Sequence, residues 1–419
     1  MLCVMTMFRP VSAAEMVEPT TWRPWTWVLL ITGAALAGLI AGVAISLFGG
    51  RGVVGSHEYH LWKWEADNLA ETIFAQVGLH HEPGSAEATA ALQNYFRLTS
   101  AIAAAEQSAT PDPAAIAKLQ DARGKYNRDV EQVVNGYIEE AVTSAGLERK
   151  LPLFTGLAMT WPPVATRFTQ PPQLLVKSPR DRIFREGDTL LQPGLDAQQV
   201  ASIEGKTTGQ DTVSLVIPLG GIATYPSIVD GDGSYGALLE LASHEWTHQY
   251  LAFWPLGQTW GSSADADTLN ETTAEIMGRE LAKVIAAKHP GNFAKGEDGS
   301  APPQPAPTVD FNTVMHELRL KVDQLLQAGK VNEAEQAMDA TQKDLAAHGI
   351  YVRKINQAYF AFYGTYATSP QSSNPIGPKV EKVWSLTQNV GLFLANMRHV
   401  TSVAGLDSVI SRLEAAAGT

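Results

Sequence analysis

The chain has 419 residues, 45% hydrophobic and 18% charged, a globular composition that excludes wholesale disorder and suggests two or three domains at roughly 150 residues each. Lys and Arg total 31 against 43 Asp and Glu, a net charge of -12, which argues against a nucleic-acid partner because phosphate contacts need a basic surface. Cys3 is the single cysteine, so internal disulfides and Cys-rich zinc fingers are excluded.

Residues 1–24 read as an N-terminal tail. Residues 25–48, WTWVLLITGAALAGLIAGVAISLF, hold 24 positions without a charge. About 20 apolar residues cross the hydrocarbon layer, so a single-pass transmembrane helix is expected, with Trp22, Trp25 and Trp27 at the interface. Arg9 and Arg23 precede the span and Arg51 and Lys63 follow it, almost a tie for the positive-inside rule. The large domain is expected outside the cytoplasm. Met16 is an alternative start on compositional grounds, and it would remove Cys3.

Residues 49–150 form a helical region of two or three helices, with apolar stripes at Leu69, Ile73 and Val77 and at Tyr126, Val130, Val133 and Tyr137. The loop SATPDP, 108–113, supplies a helix cap. Residues 151–230 are the strand-containing part. It is Pro-broken as far as Pro172, then extended over 173–176, over 212–219 (TVSLVIPL) and over 222–229. Residues 231–290 hold helices over 235–254, stopped by Pro255, and over 269–288. Residues 291–308 read as a mobile Gly/Pro-rich loop. Residues 309–419 are helical, with a hairpin over 314–348 turning at 328–330, then helices over 352–366 and 380–403. The fold class is α+β, mostly helical, with a small sheet.

The helix over 235–254 contains His244-Glu245-Trp246-Thr247-His248. The i, i+4 spacing puts both imidazoles on one face, where two nitrogens can share a Zn2+. Glu245 leans toward the open side, where it can act as general base on a metal-bound water. Trp246, Thr247, Gln249, Tyr250 and Leu251 are uncharged, as a helix buried at an active site requires. A catalytic zinc needs a third protein ligand. A third His in the His-x-x-Gly-x-x-His pattern would fall on Trp254, which excludes that pattern. On the next helix Glu271 and Glu275 share one face, so one carboxylate can bind metal while the other accepts from a ligand imidazole. Asp265 or Asp267, read in a flexible Ser/Asp loop, is the alternative ligand.

His244-Glu245-x-x-His248 followed by Asn270-Glu271-x-x-x-Glu275 resembles the thermolysin-like gluzincin zinc metallopeptidases, whose second helix carries Asn-Glu-x-x-x-Asp. The resemblance covers roughly residues 212 to 285 and implies a zincin-like catalytic domain. It implies Glu271 as the third zinc ligand, Glu275 in place of the Asp as the acceptor for His244, and the backbone at Asn270 as the holder of His248. Two departures stand out. Glu271 lies 23 positions after His248, a few more than in thermolysin, and Glu replaces Asp.

Zincins place an extended edge strand ahead of the active helix, where substrate backbone pairs by β-augmentation. Residues 217–225 (IPLGGIATY) stand in that position, and the glycines allow close approach. A donor for the tetrahedral oxyanion is also needed. Tyr363 is the expected donor, with Tyr366 and His399 behind it. The expected function is a membrane-anchored zinc metallopeptidase acting on peptide or protein substrates. A catalytically inactive zincin-like envelope scaffold and a non-peptidase zinc amidohydrolase are the alternatives.

Overall fold

The computed structural model describes residues 54–77, 85–150, 158–304 and 306–418. The expected transmembrane helix, 25–48, lies outside the described residues, as do Cys3 and Met16. Among the described residues no helix is long and apolar enough to cross a membrane.

The N-terminal region forms α1 (Leu61–Val77), α2 (Ala86–Glu106), α3 (Pro113–Gly124) and α4 (Asn127–Ser144). The Asp112 carboxylate accepts from the backbone N–H groups of Ala114 and Ala115, and Pro113 takes the first helical position, so the SATPDP loop ends in a helix cap as expected. Ser85 caps α2 by accepting from Ala88 N–H.

The strands are β1 (Arg149–Lys150), β2 (Ala158–Met159), β3 (Thr166–Phe168), β4 (Gln173–Pro179), β5 (Gly187–Leu191), β6 (Thr212–Pro218), β7 (Gly221–Ile222) and β8 (Ser227–Val229). β1 and β2 pair with each other. One antiparallel sheet runs β5-β4-β6, with Gln173 opposite Pro218 and Pro179 opposite Thr212. A second sheet runs β3-β8-β7, parallel between β3 and β8 and antiparallel between β7 and β8.

The apolar run of β6 is explained by burial on both faces. Successive side chains alternate across a strand. Leu174, Val176, Leu215 and Ile217 face a hairpin formed by α9 (Phe311–Gln327) and α10 (Val331–Ala347), together with α11 (Gln357–Tyr363). Leu175, Leu191 and Val216 face Val200 and Ile203 of α5 (Ala197–Thr207). Neither β5 nor α5 was expected, because their segments carry too few apolar residues for a period to emerge.

The main core surrounds α6 (Tyr235–Leu251) and α8 (Ala264–Lys288), joined through the short α7 (Pro255–Gln258). α2, α4, α12 (Ile376–Thr387), α13 (Val390–Met397) and α14 (Val403–Ala417) contribute to it. Several segments differ from expectation: the helix expected over 352–366 spans only Gln357–Tyr363, and the extended piece over 222–229 is divided between β7 and β8. The single helix expected over 380–403 is two, α12 and α13, broken where Gln388 adopts a left-handed conformation and Asn389 caps α13, and α14 begins only at Val403. α8 begins at Ala264, capped by Ser263, so Asp265 and Asp267 lie in its first turn rather than in a loop. The Gly/Pro-rich loop is tied to the core: Asp298 O accepts from Tyr235 N–H, and Gly299 N–H donates to Ser100 Oγ.

Candidate metal centre

Ser234 caps α6, and Leu238, Leu239, Ala242, Trp246 and Tyr250 bury it in the core. Trp246 Nε1–H finds an acceptor in Pro162 O at 3.1 Å, which allows an indole to be buried there. The remaining face carries His244, Glu245 and His248. α8 approaches this helix closely at Gly278, where a Cβ would fall 2.6 Å from Glu240 O and 3.1 Å from His244 Cβ. That approach lets Glu271, two helical turns earlier, reach the imidazoles.

His244 Nε2 and His248 Nε2 lie 3.0 Å apart. Glu271 Oε2 is 3.5 Å from the first and 3.3 Å from the second. The same carboxylate oxygen is buried and makes no hydrogen bond. A buried carboxylate oxygen without a donor is costly unless a cation completes it. The three residues are the one group of three or more His, Cys, Asp or Glu side chains among the described residues placed to hold a metal ion. Asp265 and Asp267 are not part of it. Asp267 Oδ1 accepts from Gly261 N–H at 2.6 Å, closing the turn before α8.

The second nitrogen of His248 is held differently from expectation. His248 Nδ1–H donates to the side-chain Oδ1 of Asn270 at 2.7 Å, rather than to the Asn270 backbone. The bond fixes the tautomer that leaves the Nε2 lone pair available on the side shared with His244 and Glu271, where a metal ion would be held. A buried imidazole resists charging, but the Glu271 and Glu245 carboxylates and Asn270 outweigh burial and push the His248 pKa up to about 9. Burial acts the opposite way on Glu271, yet the two imidazoles hold its carboxyl well below the usual range.

Glu275 does not take its expected partner. Thr368 Oγ1 donates to Glu275 Oε1, and Oε2 is buried without a hydrogen bond, to His244 or to any other group. The reason lies in what faces that turn of α8. The chain over 365–368 packs there, with Ala367 N–H donating to Thr272 Oγ1 at 3.1 Å.

Glu245 is a ligand to nothing in this arrangement. It is buried beneath Gly221, and burial raises its pKa, with partial relief from His244 and His248. It lines a cleft of about 420 Å³ with both imidazoles and Glu271. Gly221, Ile222 and Ala223 border the same cleft. β7 is the outer strand of its sheet, so, with Leu219 on the cleft wall beside it, the edge of the expected IPLGGIATY segment narrows to β7 and Ala223. The following residue is pinned from two sides. Thr224 Oγ1 donates to the buried Glu65 of α1 at 2.6 Å, and Thr224 O accepts from Gln249, next to His248.

Tyr363 does not line the cleft. Its ring packs on Tyr359 and Phe362, at 4.6 and 5.1 Å between centroids, at the edge of the hairpin core. α11 ends at Tyr363, and the chain beyond it carries Tyr366 into the cleft, 6.3 Å from the His244 ring. Burial, with the Glu271 and Glu245 carboxylates nearby, raises the Tyr366 pKa well above that of a free phenol, so it is a neutral donor. His399 is exposed and packs edge-on against Trp254, away from the site.

Compared with protein-family models, curated proteins and solved structures, the chain matches none.

Trp260 and Arg185 are among the cleft residues that the sequence pattern does not point to. Trp260 stands beside His248, 6.1 Å between ring centroids, on a turn between α7 and α8. Arg185 enters from the connection between β4 and β5. Neither belongs to a local pattern. Only the fold brings them to α6.

Proposed function

We propose that the chain is a zinc-dependent metallopeptidase of zincin-like, gluzincin-type construction, tethered to a membrane by residues 25–48. The observation that carries the reading is the convergence of His244 Nε2, His248 Nε2 and Glu271 Oε2 within 3.0 to 3.5 Å, with that carboxylate oxygen otherwise unpartnered. Two imidazole nitrogens and one carboxylate oxygen are a zinc donor set that leaves a position open. When bound, zinc supplies a Lewis acid that polarises a carbonyl and lowers the pKa of water.

The other steps fall to the chain's own groups. Glu245 removes the proton from the attacking water. A carboxyl whose pKa burial has raised is better matched to that task near neutral pH than a solvated one. Tyr366 O–H, rather than Tyr363, donates to the oxyanion that develops on the substrate carbonyl. The outer edge of Gly221–Ala223 pairs with extended substrate backbone. Asn270 keeps His248 in the required tautomer.

The test is metal analysis of the full chain in detergent, with cleavage of a peptide library by wild type and Glu245→Gln. About one zinc per chain is expected in both, with hydrolysis in wild type and at least ~100-fold less in Glu245→Gln. Normal turnover by Glu245→Gln removes the mechanism. Zinc without hydrolysis of any peptide points to the scaffold or to a non-peptidase amidohydrolase.

A further inference from the structure

The cleft contains one cation that the chemistry above does not use. Among the described residues Arg185 is the only Lys or Arg lining it. Its side chain is 23% exposed, and its guanidinium carbon sits 5.4 Å from the centroid of the Phe362 ring. Nε and Nη2 both donate to a single oxygen, Asp188 Oδ2, at 2.6 and 2.5 Å. A guanidinium has five N–H donors in a fixed fork. This pairing therefore holds the group in one orientation and leaves the Nη1 side free. Arg185 lines the same cleft as His244, Glu245, His248, Glu271 and Tyr366, within the space a substrate would occupy.

We infer that Arg185 anchors the C-terminal carboxylate of a peptide, so that the protein removes residues from the carboxyl end. The inference rests on the peptidase reading. A planar fork matches a carboxylate better than any other group a peptide offers. The surroundings choose the source of that carboxylate. Leu174, Leu190, Leu219 and Phe362 line the same cleft, and they suit an apolar side chain on the residue that bears the charge. An Asp or Glu side chain would supply the carboxylate without using those walls. Substrates are thus peptides ending in a free carboxylate on an apolar residue.

The test compares peptides ending in Leu, as free acids and as amides, with amidated peptides carrying an internal Glu, using full-length protein. In parallel, the affinities of mercaptoacetyl-leucine and its amide are measured by calorimetry. Wild type is expected to favour the acid about 10- to 100-fold in both readouts, the worth of hydrogen bonds to a charged group. In Arg185→Met the acid-to-amide ratio should collapse toward one, and Arg185→Lys should restore part of it. Equal handling of acid and amide by wild type overturns the inference, as does an acid preference that survives Arg185→Met. An Arg185-dependent preference for the internal Glu overturns the C-terminal assignment. If no peptide is cleaved, the binding ratio still decides Arg185, and the failure falls on the peptidase reading.

Discussion

Gly221→Ala should disable the proposed base without touching a candidate metal ligand. A Cβ at Gly221 would lie 2.5 Å from Glu245 Oε1 and 2.9 Å from Glu245 Cδ, where ordinary contact begins at 3.4 Å. Something must move by about 0.9 Å. Glu245 is buried, so its carboxylate has little room, and Gly221 is held opposite Val229 in β7. The clash is relieved either by displacing the carboxylate or by pushing out the edge proposed to pair with substrate. A misplacement of about 1 Å costs on the order of 100-fold in rate, and overpacking of this kind costs about 1–3 kcal/mol in stability. The assay is kcat/KM on a fluorogenic peptide, with zinc content and thermal unfolding measured on the same sample. Gly220→Ala is the control, because its Cβ would meet only Leu241 side-chain carbons at 3.5 Å. If Gly221→Ala keeps wild-type kcat/KM with full zinc, the carboxylate beneath Gly221 is not where the base works.

Asn270→Ala removes the acceptor for His248 Nδ1–H and should weaken zinc binding about 10- to 100-fold, read by competition with a chelator. An unchanged affinity would show that the Asn270 contact does not orient the ligand. Glu275→Gln should weaken zinc less than Asn270→Ala, since Glu275 bonds Thr368 and not His244. A larger loss would restore Glu275 as the partner of His244. Glu204 joins α5 to β6 through the backbone N–H of Val216 and through Arg353. Burial opposes its ionisation, but Arg353, Val216 N–H and Lys354 outweigh burial and lower its pKa. A lowered folded value stabilises above the ordinary Glu pKa of about 4.3 and loses that contribution as pH falls through the folded value. Glu204→Gln should therefore cost about 1–3 kcal/mol in urea unfolding at pH 7 and progressively less below pH ~4. A pH-independent difference would refute the linkage.

The geometry of the candidate metal ligands on α6 was legible in the sequence because it is local. His244, Glu245 and His248 are related by helical periodicity alone, and α6 forms from its own cap and apolar residues. Glu271 was legible as a candidate because it shares a helix face with Glu275 at i, i+4 spacing, in a pattern that resembles the gluzincin second helix. The strand β6 followed from the apolar, β-branched run over 212–219, while its pairing with β4 is seen only in the folded chain.

Tertiary structure decided everything that depends on which surfaces meet. Glu271 reaches the imidazoles because Gly278 lets two helices approach, a relation no spacing rule contains. Tyr366 replaces Tyr363 because α11 stops three residues short of it, which alters the direction of a side chain that a continuous helix would have placed elsewhere. Glu275 turns to Thr368 because a loop some 90 residues later packs on that turn of α8. Arg185 enters the cleft from a hairpin with no signature of its own. Sequence patterns record the interactions a segment makes with itself. Contacts between distant segments are set by how the apolar faces of whole elements are buried together, and that becomes visible only once the chain is folded.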